Sequence, residues 1–117
     1  MLFGDSAEGV VRYHGVVLVL LGFGGELTLN VRAHDVQLDG KSITLAFKEY
    51  SILYKLLANP GRVFSREQLL DNIWGFDFDG DIRTVDSHVA RLRTKLGDWG
   101  TKHIKTIYGT GYKIEAD

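Results

Sequence analysis

The sequence has 117 residues, about the size of one domain, so a single hydrophobic core is predicted and two independent domains are excluded. Hydrophobic residues make up 44% and charged residues 25%, which excludes disordered and fibrous chains, and the lack of cysteine removes disulfides, thiolate nucleophiles and sulfur-ligated zinc. The net charge is −1, yet seven Lys or Arg face two acids between Arg83 and Lys113, against seven bases and thirteen acids elsewhere, so a phosphate-attracting field is predicted for the last third alone.

Residues 1–20 read as an N-terminal extension ahead of a main unit over 21–117. Val10-Val11 and the run from Val16 to Leu21 are too apolar to stay in water, so an added strand or a subunit contact is expected there. The run is far shorter than the roughly 20 residues that span a bilayer. Asp5 and Glu8 precede it where a signal peptide carries bases, so neither a membrane contact nor export is expected, and a cytoplasmic location fits.

Glu26 to Val31 alternates apolar and polar residues, and Asp39-Gly40 is a turn signal between Val36/Leu38 and Ile43/Leu45, so an antiparallel sheet is predicted before residue 46. Phe47, Tyr50, Leu53, Tyr54 and Leu57 recur at helical spacing until Asn59-Pro60-Gly61 stops the helix. Ser65 and Gln68 form a capping box for a second helix, with Leu69, Leu70, Ile73 and Trp74 on its buried face. Gly75 to Asp81 is a loop.

Three alternate aspartates in that loop hint at calcium, but an EF-hand needs Gly and Glu where Ile82 and His88 stand, so no metal is expected. A third helix over about 83–96 places Val85, Val89, Leu92 and Leu96 on one narrow stripe. Arg83, Ser87, Ala90, Arg91 and Thr94 oppose that stripe, with Thr84, His88 and Lys95 on a flank. A helix with such a face fits the major groove, where Arg bonds guanine in bidentate fashion and flanking bases meet phosphates. Residues 103–115 alternate around a glycine turn as a hairpin, and Lys105, Thr106, Tyr108, Thr110 and Lys113 offer it a second contact with backbone or minor groove.

Three blocks, NPGRVFSREQLLDNIWG from Asn59, RTVDSHVARLRTKLGD from Arg83 and IKTIYGTGYKI from Ile104, resemble the OmpR/PhoB-type winged-helix output domain of two-component response regulators in order and spacing. The likeness covers roughly residues 22–115. It implies an α+β winged helix-turn-helix with an N-terminal four-stranded antiparallel sheet, three helices and a C-terminal hairpin as the wing. It further implies sequence-specific binding of double-stranded DNA for transcription regulation. Carried over by position, Ser87, Arg91 and Thr84 read bases, and Arg66, Trp74, Arg83, His88, Arg93, Lys95, Thr106, Tyr108, Thr110 and Lys113 meet the DNA backbone, Trp74 being equally suited to the core.

The same likeness makes the loop with Phe76, Asp77, Phe78 and Asp79 a contact for RNA polymerase, the alternative being a plain connector with its phenylalanines tucked inward. Pairing of two copies on repeated half-sites follows because one helix and a wing read few bases. Two departures stand out: Tyr108 occupies a wing position where many members carry Arg, and Ala46 replaces the usual hydroxyl cap of the first helix. No receiver domain lies in the sequence, so phosphorylation control is not expected within it. No cofactor, small-molecule substrate or catalysis is expected, since the four histidines fall in no catalytic motif. The competing reading is a winged helix used only for protein contacts.

Overall fold

The computed structural model describes residues 10–14 and 17–116, and the side chains of 17–116. Of the N-terminal run, Val16 and the segment before Val10 lie outside the described residues. Five strands, β1 (Val10–His14), β2 (Val17–Gly22), β3 (Gly25–Asn30), β4 (Asp35–Leu38) and β5 (Lys41–Ser42), form an antiparallel sheet in sequence order. This is one strand more than the four expected, because β1 adds to β2 with Val10 opposite Leu21.

Alternation sends Leu18 and Leu20 of β2 and their partners Leu29 and Leu27 of β3 to one face, all 2% exposed or less. Asp39 and Gly40 both take positive φ, 53° and 82°, as a two-residue hairpin turn demands. The Asp39 carboxylate accepts the Glu26 backbone N–H at 2.9 Å and ties that turn to the start of β3.

Helix α1 (Phe47–Leu57) packs across this sheet. Its buried side carries Ile52 and Leu56 with Leu53 and Leu57, whereas Phe47 and Tyr54 remain 63% and 38% exposed. The two exposed rings are held instead in an aromatic stack, with His34 parallel to Tyr50 at 4.6 Å and Tyr54 continuing it at 6.3 Å. Ala46 has no side-chain acceptor for the first turn. Glu49 takes over the other half of the cap, accepting the Ala46 N–H at 2.9 Å.

After β6 (Phe64–Ser65) the Ser65 capping box forms in both directions. Its hydroxyl accepts the Gln68 N–H at 3.0 Å and Gln68 Oε1 accepts the Ser65 N–H at 2.8 Å. Helix α2 (Arg66–Leu69) continues as one π-helical stretch, Leu70–Trp74, closed by Gly75 at φ 96°. Helix α3 (Arg83–His103) is two helices merged across Gly97, whose φ of 60° and ψ of −138° break the spiral.

The first part of α3 matches the predicted 83–96. The second, 98–103, has no sequence counterpart; it sinks Trp99 and His103 into the core. His103 is pinned between two carbonyls, 2.8 Å from that of Glu115 through Nδ1 and 2.9 Å from that of Phe23 through Nε2. The chain ends in β7 (Ile104–Ile107) and β8 (Gly111–Ile114), and β6 completes a second sheet in the order β6-β8-β7. One core joins Leu20 and Leu27 of the large sheet to Leu53, Leu69, Leu92 and Trp99.

Candidate nucleic-acid interface

On the 83–96 part of α3, Val85, Val89, Leu92 and Leu96 are at most 1% exposed. The opposite side therefore faces outward: Ser87, Ala90, Arg91 and Thr94 are exposed. The hydroxyls of Ser87 and Thr94 donate only to backbone carbonyls one turn back in their own helix, at 3.3 Å and 3.0 Å. Arg91 makes no side-chain hydrogen bond or ion pair among the described residues.

Flanking groups are held to different degrees. Thr84 is half-buried, and its carbonyl accepts from His88 Nδ1 at 2.8 Å. The His88 ring stands edge-on to Trp74 at 5.0 Å. Trp74 is half-buried against the core, with the Lys48 ammonium 5.3 Å from its ring centre. Arg83 is exposed and grips Asp81 at 2.6 Å. Hydrogen bonds from the Arg83 side chain and backbone hold the Asp81 carboxyl down to about 2.

Several expected phosphate contacts turn out to be engaged inside the protein. Arg93 donates from Nη2 to the Ile104 carbonyl and to Thr106 Oγ1, both at 2.7 Å, and lies 5.6 Å from the Tyr112 ring centre. Arg93 and Thr106 thus join α3 to β7. Lys95 pairs at 2.7 Å with Glu49, which is 2% exposed. Burial works to raise the Glu49 pKa, but the Lys95 ammonium and the Ala46 N–H outweigh it and the carboxyl ends below its ordinary value. Lys113 pairs with Glu115 at 2.7 Å.

Arg66 does not point at open solvent either. It donates from Nε and Nη2 to the two oxygens of Asp86, at 3.2 Å and 2.7 Å. The Tyr112 hydroxyl donates to the same carboxylate at 2.6 Å. Burial, then this bond to an anion, pushes the Tyr112 phenol up to about 12. In the sequence Asp86 is only one of the two acids among the bases between Arg83 and Lys113. Its partners stand 20 and 26 residues away, separations that carry no local periodic signal.

Tyr108 is 91% exposed at the tip of the β7–β8 hairpin, beside exposed Thr110. Gly109 takes φ 80° there, and the Thr110 N–H closes the turn on the Ile107 carbonyl at 2.9 Å. An open groove of about 240 Å³ runs between this hairpin and α3, with Arg66, Asp86, Tyr108 and Thr110 among its lining residues. In the loop before α3, Phe76 is 88% and Phe78 36% exposed, with Asp77 and Asp79 exposed beside them. Neither phenylalanine is fully tucked inward, although Phe78 lies 6.1 Å from Trp74.

Residues 40–114 match the family model described as "Transcriptional regulatory protein, C terminal". The chain belongs to that family. Helix α3 with its outward polar side, preceded by α2 and followed by the hairpin, is a winged helix of the OmpR/PhoB type. The heme response regulator HssR of Staphylococcus aureus is 46% identical over 92 residues, which are 78% of this chain and 41% of that protein. The chain thus spans less than half the length of the curated relatives it matches.

Among solved structures, the DNA-binding domain of Klebsiella pneumoniae RstA in complex with the RstA box superposes with a TM-score of 0.70. It is 29% identical, and the match covers 92% of this chain and 98% of that one. The DNA-binding domain of Bacillus subtilis CssR gives 0.68 at 35% identity, covering 75% and 98%. The response regulator DrrB, a Thermotoga maritima OmpR/PhoB homologue, gives 0.70 at 32% identity, covering 90% of this chain and 44% of that one.

Proposed function

We propose that this winged helix binds double-stranded DNA sequence-specifically to regulate transcription, with residues 83–96 in the major groove and the β7–β8 hairpin on the adjacent backbone or minor groove. The observation that carries this reading is the division of α3: its apolar stripe is buried, while Ser87, Ala90, Arg91 and Thr94 stand outward on a helix of groove-fitting width. The RstA DNA-binding domain, which has the same fold, was solved in complex with the RstA box.

In this reading Ser87, Arg91 and Thr84 read base edges, with Arg91 as the bidentate donor. Arg83, His88, Tyr108 and Thr110 meet phosphate or sugar, the exposed surface ion pair of Arg83 being weak enough to exchange, while Lys95 and Lys113 stay with Glu49 and Glu115. Trp74 supports His88, and Arg93 with Thr106 fixes the wing against α3. The exposed Phe76 and Phe78 among acids serve a protein partner, RNA polymerase, and copies pair on repeated half-sites. The working compartment is the cytoplasm, and the domain binds rather than catalyses.

Selection of bound sequences from a random duplex pool at fixed salt tests this. Enrichment of one motif, repeated at a fixed spacing, is the expected result. Failure to enrich any sequence, with a flat dependence of binding on salt, would favour a module for protein contacts alone.

A further inference from the structure

Asp86 is the one acid on the 83–96 part of α3, and it lies between Ser87 on the outward side and Val85 in the core. An acid so close to a phosphate-facing surface repels the ligand, so its presence calls for a cause. The structure supplies one: both carboxylate oxygens are occupied by Arg66, and one also receives the Tyr112 hydroxyl. The bidentate pair is only part-exposed, 34% on the Arg66 side chain and 37% on Asp86, and it lines the groove between α3 and the wing. Arg66 thus carries a charge at the edge of the interface that Asp86 neutralises, with two of its guanidinium N–H donors committed.

We propose that Asp86 is a positioning residue that withholds the Arg66 guanidinium from the DNA backbone and so limits binding to non-target sequence. This rests on the DNA-binding reading above. Phosphate contacts add affinity to every duplex and carry no sequence information, whereas base contacts distinguish one sequence from another. A freed Arg66 would find a phosphate on any duplex, because no register is imposed there. On target DNA the base contacts fix the helix, and Arg66 reaches only what that one pose presents. Holding the guanidinium on Asp86 therefore subtracts more from random binding than from target binding, a form of discrimination by removal.

The test compares Asp86→Asn with the unchanged domain on its selected duplex and on a random duplex, across a salt series. Asparagine keeps the size of the side chain and an oxygen for Tyr112 but loses the charge that holds Arg66. The expected result is tighter binding to random duplex and a log–log salt slope steeper by about 0.9, one phosphate, with the target-to-random ratio falling several-fold. In an Arg66→Gln background the substitution at Asp86 should leave the random-duplex slope unchanged.

Arg66→Gln alone guards against a misfolded Asp86 variant: its random-duplex slope should equal that of the parent. A slope shallower by about 0.9 in that variant, or loss of binding to both duplexes by a folded Asp86→Asn domain, overturns the proposal and leaves Asp86 a scaffold residue. If the unchanged domain binds no duplex at all, the DNA-binding reading itself fails and this proposal goes with it.

Discussion

Arg91 and Arg93 stand two positions apart on α3 in opposite surroundings. Arg91 faces solvent without an internal partner among the described residues, whereas Arg93 holds the Ile104 carbonyl and Thr106. Arg91→Ala should leave the unfolding midpoint in place, cost about 1–3 kcal/mol of target binding and relax choice at one base pair. Arg93→Ala should instead lower stability by about 1.5–3 kcal/mol, the worth of hydrogen bonds from a charged donor, read by denaturant unfolding. The sequence shows that both are arginines on one helix; only the fold shows that the angle between α3 and β7 brings a carbonyl within reach of the second. Glu49 makes a pH-dependent contribution whose sign is set by its lowered pKa. Its ion pair is fully present above the ordinary glutamate value of 4.5 and is lost as pH falls through the lower folded value. The stability advantage of the parent over Glu49→Gln should therefore shrink as melting is followed below pH 4.5.

At the level of elements, periodicity located α1, the capping box of α2, the 83–96 helix and both hairpins, because each has a buried face or a turn residue that leaves a local pattern. The rotation of α1 was less legible. Its aromatic residues share helical spacing with its leucines, yet Phe47 and Tyr54 stack outward while Ile52 and Leu56 take the core. The helix over 98–103 left no trace, being short and flanked by Gly97, with Gly100 inside it. Gly111 marks a contact between elements that sequence alone reads only as part of a turn. It lies where β8 crosses β6, opposite Ser65, and a Cβ there would fall on the carbonyl oxygen of Phe64. Gly111→Ala should push β6 from β8 and destabilise by about 1–3 kcal/mol. Thermal unfolding would check this, and an unchanged midpoint would mean that the strand yields freely.

For the whole molecule, the asymmetry of charge along the chain was legible, but its availability was not. Of the seven bases between Arg83 and Lys113, four have internal partners: Arg83 with Asp81, Arg93 with β7, Lys95 with Glu49 and Lys113 with Glu115. Binding to random duplex should therefore depend on salt less steeply than the log–log slope of about −6 that seven phosphate contacts would give per bound domain. A measured slope near that value would mean that these partners are exchanged for phosphate. The fold class follows from the order of periodic segments, whereas the fifth strand comes from a segment that the family likeness does not reach. The separation between the two sides of α3 also bears on how such a domain diverges. Since Ser87, Ala90, Arg91 and Thr94 support nothing in the interior, a lineage can rewrite all four while inheriting its scaffold unchanged, and under the proposed reading of α3 the preferred sequence would change with them.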